Sequence, residues 1–450
     1  MQVTFFGATE QVTGSQYVLQ TNSGTKLLID SGLFQGGDDN WKANFEDFDF
    51  TPSEIDALVL THAHLDHCGR IPKLVREGFN GKIIATKPTL ELARLLLEDS
   101  VRIIEEHARE QGLPTLYDAQ DVMDAVQLFS PTGYHQPMQI KDVTIELIDA
   151  GHILGSAIAL IDADNKRVVF SGDLGNAPVP LLFPTEYVDA ADMVIMESTY
   201  GARVHEDKQT RTTLLKNTIH EVVEQGGVLM IPAFALERTQ ELLYEMNQMV
   251  ADKEIPHVPM YLDSPLAIKA TAVFQQNKEY LNQETRQEMA SDNIFQFPGL
   301  TLTEAAAESK SINNVKAPKI IIAGSGMAEG GRIVHHIERY IEGPQNHYLI
   351  IGYQVEGTLG RQLLDGAKTV KVNGKELQVR AKVSAIGGYS AHADRDKLTD
   401  WILHVDQQRL KKVCITHGEL SQAQELQAHL RKAMSAEVIV PQAGQTIAVA

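Results

Sequence analysis

The chain has 450 residues, of which 43% are hydrophobic and 22% charged, and its net charge is -19. That length holds a large core and about two or three domains, and the composition is that of a folded, soluble chain. The acidic balance excludes a protein that coats nucleic acid by bulk electrostatics, though not a metal centre that attracts phosphate into an acidic cleft.

Residues 1–7 read as a strand rather than a signal peptide. No apolar run approaches the ~18 residues that span a bilayer, so the expected location is the cytoplasm, with no membrane partner. Short strands at Val3 to Phe6, Gln16 to Gln20 and Lys26 to Asp30 alternate with glycine turns, which predicts an antiparallel meander. Asp30 ends the third strand and has two readings, a turn former or a carboxylate beside the stretch that follows.

The apolar run Ala57-Leu58-Val59-Leu60 predicts a buried strand that delivers Thr61-His62-Ala63-His64-Leu65-Asp66-His67 from its carboxyl end. A lone histidine in apolar surroundings is usually a satisfied core residue. Three imidazoles and a carboxylate together are not, because desolvating them without a cation costs several kcal/mol. Imidazole and carboxylate suit zinc or a similar divalent ion, and a cluster this dense can serve two. Cys68 follows at once, yet Cys68 and Cys414 are the only cysteines, which builds no disulfide framework and fits a reducing compartment. A short helix after Gly69, a strand from Lys82 to Ala85 and a helix from Pro88 to Glu110 are scaffold, with Pro88 suited to the first helical turn.

The same device then recurs. A strand from Val143 to Ile148 leads to Gly151-His152, a strand from Arg167 to Phe170 leads to Gly172-Asp173, and a strand from Met193 to Met196 leads to Glu197. Each dipeptide alone is ordinary loop chemistry, and it is the repetition at strand ends that singles them out. Glu197 reads either as a ligand or as a carboxylate that sets the charge of a second histidine.

From about residue 209 to 365 strands and helices alternate, which predicts a parallel sheet in a second domain. There, Gly324-Ser325-Gly326 between strand and helix offers free amides to a phosphate, with Arg332 adding charge. The loop alone does not decide this, and it lacks the lysine and hydroxyl of a P-loop. A strand from Lys382 to Ile386 leads to Ser390-Ala391-His392-Ala393-Asp394, where Ser390 or Asp394 caps the next helix. A last strand, Lys412 to Thr416, ends in His417.

His62, His64, Asp66, His67, His152, Asp173 and His417 resemble the ligand set of the metallo-β-lactamase superfamily. Glu197-Ser198-Thr199-Tyr200-Gly201, Ile231-Pro232-Ala233-Phe234-Ala235, Asp263-Ser264-Pro265-Leu266-Ala267, Gly324-Ser325-Gly326-Met327, Gly352-Tyr353-Gln354, Ser390-Ala391-His392-Ala393-Asp394 and Thr416-His417-Gly418-Glu419 resemble motifs of its β-CASP nuclease branch, in that branch's order. The branch includes the endonuclease of eukaryotic pre-mRNA 3′-end processing and prokaryotic ribonucleases.

The resemblance implies an α/β (α+β) architecture: a four-layered αββα metallo-β-lactamase domain from residues 1–205 and 369–450, with an α/β β-CASP domain at 206–368 inserted. It implies one zinc on His62, His64, His152 and bridging Asp173, and a second on Asp66, His67, Asp173 and His417, with manganese as the alternative ion. Glu197, His392 and His417 match the branch's acidic, second and third motifs, and a histidine in the third is associated with RNA. Single-stranded RNA is the expected partner, and a homodimer is left open. The chain opens at the lactamase-type strand and closes soon after the last one, so substrate choice and assembly are expected to rest on the two-domain core.

Two zinc ions about 3.5–4 Å apart bring the pKa of a shared water to about 7, so that its hydroxide attacks phosphorus in line. Asp66, Glu197 and His392 form the expected catalytic set, with His392, kept protonated by Glu197, serving the leaving 3′-oxygen. The products are then a 5′-phosphate and a 3′-hydroxyl, by internal or terminal cleavage. Gly324, Ser325, Gly326, Arg332, Ser390 and His392 are the expected phosphate contacts. The competing readings are a DNA-processing nuclease of the same branch, a glyoxalase II-like ester hydrolase and a non-catalytic subunit. An ester hydrolase has no use for Glu197, the Gly324 loop and His392 together, and a non-catalytic subunit would have lost ligands.

Overall fold

A computed structural model describes residues 1–176, 179–205 and 208–449. Two compact units emerge: Met1–Ala177, Leu182–Val204 and His392–Ala450 form one, and Pro178–Leu181 with His205–Ala391 form the other.

In the first unit two seven-stranded sheets face each other. One runs Thr446–Ala448, Gln2–Phe5, Tyr17–Gln20, Lys26–Ile29, Ala57–Val59, Lys82–Thr86, Phe129–Thr132. The meander holds from Gln2 to Ile29, after which pairing turns parallel (Leu28 against Leu58, Leu58 against Ile83). The other sheet runs Glu437–Ile439, Lys412–Ile415, Met193–Met196, Lys166–Phe170, Ala157–Ala163, Val143–Asp149, Met138–Ile140.

Val3, Phe5, Leu19, Leu27 and Ile29 interdigitate with Ile145, Leu147, Ile161, Phe170 and Ile195 between the sheets. The outer face of the second sheet (Ile158, Val169, Val194, Met196) is covered by Leu398, Trp401, Leu426 and Leu430 of helices Arg395–His404 and Leu420–Ala433. Strands buried on both faces read as unbroken apolar runs, which is why Ala57–Val59 and Met193–Met196 lack alternation. Helix Lys87–Gln111 starts with the Thr86 side chain accepting from the Thr89 amide, carries Pro88 in its first turn, and stops at Gly112 with φ of 67°. The layers are therefore helix, sheet, sheet, helix.

The second unit is built on an all-parallel six-stranded sheet, Leu300–Leu302, Met260–Asp263, Lys319–Ala323, Val228–Pro232, His347–Ile350, Lys382–Ala385. Met230, Ile321, Ile333, Ile337 and Tyr348 lie in its core.

One expected boundary moves. The strand at Lys382–Ala385 pairs with His347–Ile350, so the inserted unit extends to Ala391 and the chain returns to the first unit at His392 rather than at 369. Local sequence specifies a strand there, but its neighbour is chosen by long-range pairing. Residue 206, the expected start of the insertion, lies outside the described residues.

Candidate metal centre

The ligand-type side chains gather at strand ends of the first unit, around Asp173. His62, His64, His152 and Asp173 offer atoms within 4.8 Å of one another, and so do Asp66, His67 and His417. Asp173 divides its carboxylate between them. Its Oδ2 lies 3.4 Å from His62 Nε2 and 3.5 Å from His152 Nε2, and its Oδ1 lies 3.4 Å from His67 Nε2 and 3.5 Å from His417 Nε2. His64 Nδ1 completes the first group, 3.1 Å from His62 Nε2 and 3.2 Å from His152 Nε2. Asp66 Oδ2 stands 3.8 Å from His417 Nε2 in the second.

These atoms fit divalent cations. His417 Nε2 and Asp173 Oδ1 are buried and take part in no hydrogen bond, and Nε2 of His62 and of His152 both converge on His64 Nδ1. Such a set is unfavourable unless a cation accepts the lone pairs. Burial holds His64 and His152 well below the ordinary histidine pKa, which keeps them as neutral donors, and it lowers His417 too. Cys68, at the end of the ligand stretch, donates its thiol to Ala63 O, so the donor set is nitrogen and oxygen.

Outer partners fix the rings. Asp30, the residue with two sequence readings, is 1% exposed with φ of 57°. It accepts from the Thr61 amide and hydroxyl at 2.8 Å each and from His67 Nδ1 at 2.7 Å, which turns His67 Nε2 toward Asp173. Burial opposes charge on His67, but Asp173 and Asp30 hold its pKa well above the ordinary range. His417 is held by its amide on Ala8 O at 2.7 Å and by Ser15 Oγ, 3.0 Å from Nδ1. The His152 amide donates to Ser156 Oγ at 3.1 Å. Glycine makes the close approach possible: a Cβ on Gly32 would sit 1.7 Å from Asp66 O.

Glu197 is buried and faces His392. Oε1 accepts the Leu174 amide at 2.6 Å, and the two oxygens lie 3.3 and 3.2 Å from His392 Nδ1. His392 also stands 3.7 Å from Asp173 Oδ2.

Of the expected phosphate contacts, His392 belongs to the first unit, and Gly324, Ser325, Gly326, Arg332 and Ser390 belong to the second. The Ser325 amide donates to Gly330 O at 3.2 Å, and Gly326 O accepts from Gln354 Nε2 at 2.9 Å. Arg332 is engaged by neighbours in its own unit. Its guanidinium binds Asp263 Oδ1 at 2.7 Å, Thr303 O at 2.9 Å and Glu304 O at 2.5 Å, because buried Asp263 needs a counter-charge. Ser390 is buried, its amide on Gly387 O at 2.9 Å, and Asp394 caps the helix by accepting from the Lys397 amide at 3.0 Å. Sequence reasoning missed Ser15, Thr61 and Ser171, whose hydroxyl accepts the Glu197 amide at 3.2 Å. Only Thr61, next to the ligands, had a local signal.

Three known families match in succession: the metallo-beta-lactamase superfamily over residues 10–203, the Beta-Casp domain over 239–363, and the Zn-dependent metallo-hydrolase RNA specificity domain over 376–441. Among similar proteins, Ribonuclease TTHA0252 of Thermus thermophilus is 35% identical over 420 residues, covering 93% of both chains. An RNase J-like protein of Methanocaldococcus jannaschii is 31% identical with 98% of both chains covered. Transcription termination factor FttA of the same organism is 31% identical over 98% of this chain and 70% of its own. The chain belongs to the metallo-β-lactamase superfamily, in its β-CASP branch.

Proposed function

We propose that this protein is a metal-dependent ribonuclease that hydrolyses phosphodiester bonds of single-stranded RNA to a 5′-phosphate and a free 3′-hydroxyl. The observation that carries this reading is Asp173, whose two oxygens face separate sets of ligand atoms, Oδ2 toward His62 and His152 and Oδ1 toward His67 and His417. The ribonuclease-named relatives and the RNA specificity match over 376–441 favour RNA over other phosphodiesters.

His62, His64, His152 and Asp173 would hold one ion, and Asp66, His67, His417 and Asp173 the other. Zinc suits this nitrogen and oxygen donor set, with manganese the alternative. When bound, the ions supply a water that ionises near neutral pH and charge neutralisation at the phosphate. Asp30 and Ser15 orient ligand rings. Glu197 holds His392 Nδ1, leaving Nε2 to carry the proton that the departing 3′-oxygen takes. The loop at Gly324 to Gly326 and the Ser390 hydroxyl are assigned to phosphate positioning. The buried, free thiols of Cys68 and Cys414 are consistent with the cytoplasm.

The test is the metal-loaded protein on an RNA strand and on DNA of the same sequence, with product ends read by mass spectrometry. RNA cleavage with 5′-phosphate ends is expected. Cleavage of DNA alone, or of neither strand but of small thioesters, would replace the reading.

A further inference from the structure

Ser15 comes from the N-terminal segment, is fully buried, and touches both halves of the second ligand group. Its amide donates to Asp66 O at 2.8 Å and its carbonyl accepts from the Gly32 amide at 3.0 Å, which ties it into the loop carrying Asp66 and His67. Its hydroxyl lies 3.0 Å from His417 Nδ1 and 3.4 Å from His67 Nε2. His417 Nε2 is the nitrogen turned toward Asp66 and Asp173 and makes no hydrogen bond. An imidazole that ligates through Nε2 carries its proton on Nδ1, so the Ser15 oxygen is the acceptor that fixes the tautomer and ring plane of His417.

The other ligands have other supports. His67 is held by Asp30, His62 Nδ1 lies 3.1 Å from the Thr61 hydroxyl, and the His152 backbone is held by Ser156. Among the described residues, the other hydrogen bonds of His417 are made by its backbone, with Ala8 O, the Ser198 amide at 3.1 Å and the Thr199 hydroxyl at 3.2 Å.

We infer that Ser15 is a positioning residue specific to one of the two ion sites: it joins the ligand arriving from residue 417 to those arriving from 66 and 67. This rests on the two-ion reading proposed above. Removing its hydroxyl should weaken the second site while leaving the first, built on His62, His64, His152 and Asp173, at its original affinity.

The experiment is stepwise titration of the metal-free protein with cobalt(II), followed by absorption spectroscopy and calorimetry, for the wild type, Ser15→Ala and Ser15→Thr. Two binding steps are expected in the wild type. In Ser15→Ala one step should be unchanged and the other weakened by about 10–100-fold, the usual effect of losing an outer partner of a ligand. Ser15→Thr, which keeps the hydroxyl, should restore the weakened step. Two unchanged steps in Ser15→Ala would overturn the role of Ser15 while leaving the two-ion reading intact. Fewer than two steps in the wild type would overturn that reading and the inference with it. Should Ser15→Ala fail to fold, the threonine variant decides: folded with the second step lost, it shows that the hydroxyl is not the agent.

Discussion

His392 presents Nδ1 to both oxygens of Glu197, at 3.3 and 3.2 Å, and Glu197 Oε1 is itself fixed by the Leu174 amide at 2.6 Å. Burial opposes charge on His392, but Glu197 and Asp173 outweigh it and raise its pKa above the ordinary value. An acid of this kind is active below its raised pKa and is lost as pH rises through it. Glu197→Gln removes one of the two carboxylates, so the alkaline limb of the kcat profile should move to lower pH. Turnover at neutral pH should fall, by no more than the ~10²–10⁴-fold that general acid catalysis supplies, with bound metal unchanged. An alkaline limb that stays in place would remove His392 from the acid role.

Asp30 accepts three hydrogen bonds at a left-handed backbone position that aspartate and asparagine tolerate better than most residues. Asp30→Asn should keep the fold and lose the charge that holds His67 Nδ1. Metal affinity should then drop about 10–100-fold. Competition with a chelator of known affinity measures this, and an unchanged affinity would mean that His67 is oriented by other contacts.

Gly32→Ala places a Cβ 1.7 Å from Asp66 O, a backbone atom that cannot swing aside. The loop from His64 to His67 must shift, so the variant should lose metal and cleavage together and unfold at lower temperature. Wild-type metal content in this variant would show the loop to be more compliant than its packing implies.

Burial and the neighbouring Glu186 push the Asp149 carboxyl up to about 7, while the Gly151 amide on Oδ1 limits the rise. Its unfolded pKa is about 3.9, so the folded state binds the extra proton and stability falls as pH rises from there to about 7. Asp149→Asn keeps an acceptor for Gly151 and escapes this loss. Its stability gain over the wild type should grow between pH 5 and 7, reach on the order of 1–3 kcal/mol, and level off above. Urea unfolding at pH 5, 6, 7 and 8 reads this directly, and a gain independent of pH would contradict it.

The ligand-bearing strand ends were legible because each combines a short apolar run with a polar residue at its exit, a local pattern. The parallel character of the inserted sheet was legible in the alternation of strands and helices from about residue 209 to 365. What was not legible depends on distant partners. Ser15 acts on a histidine 402 positions away, and Arg332 is claimed by an aspartate 69 positions away. Lys382–Ala385 reads as a strand in either domain and is assigned only by its pairing with His347–Ile350. That Asp30 faces His67 and Glu197 faces His392 depends on the same long-range placement.

On the proposed function, the two ligand groups sharing Asp173 make one hydrolytic centre for RNA. The most direct measurement is cleavage of one RNA, labelled in turn at its 5′ and 3′ ends, by zinc-loaded wild type and by Asp66→Ala of equal folded content. Metal-dependent cleavage by the wild type that is abolished in Asp66→Ala is the expected result. Intact RNA with the fully metallated wild type, or equal cleavage by Asp66→Ala, would contradict the account.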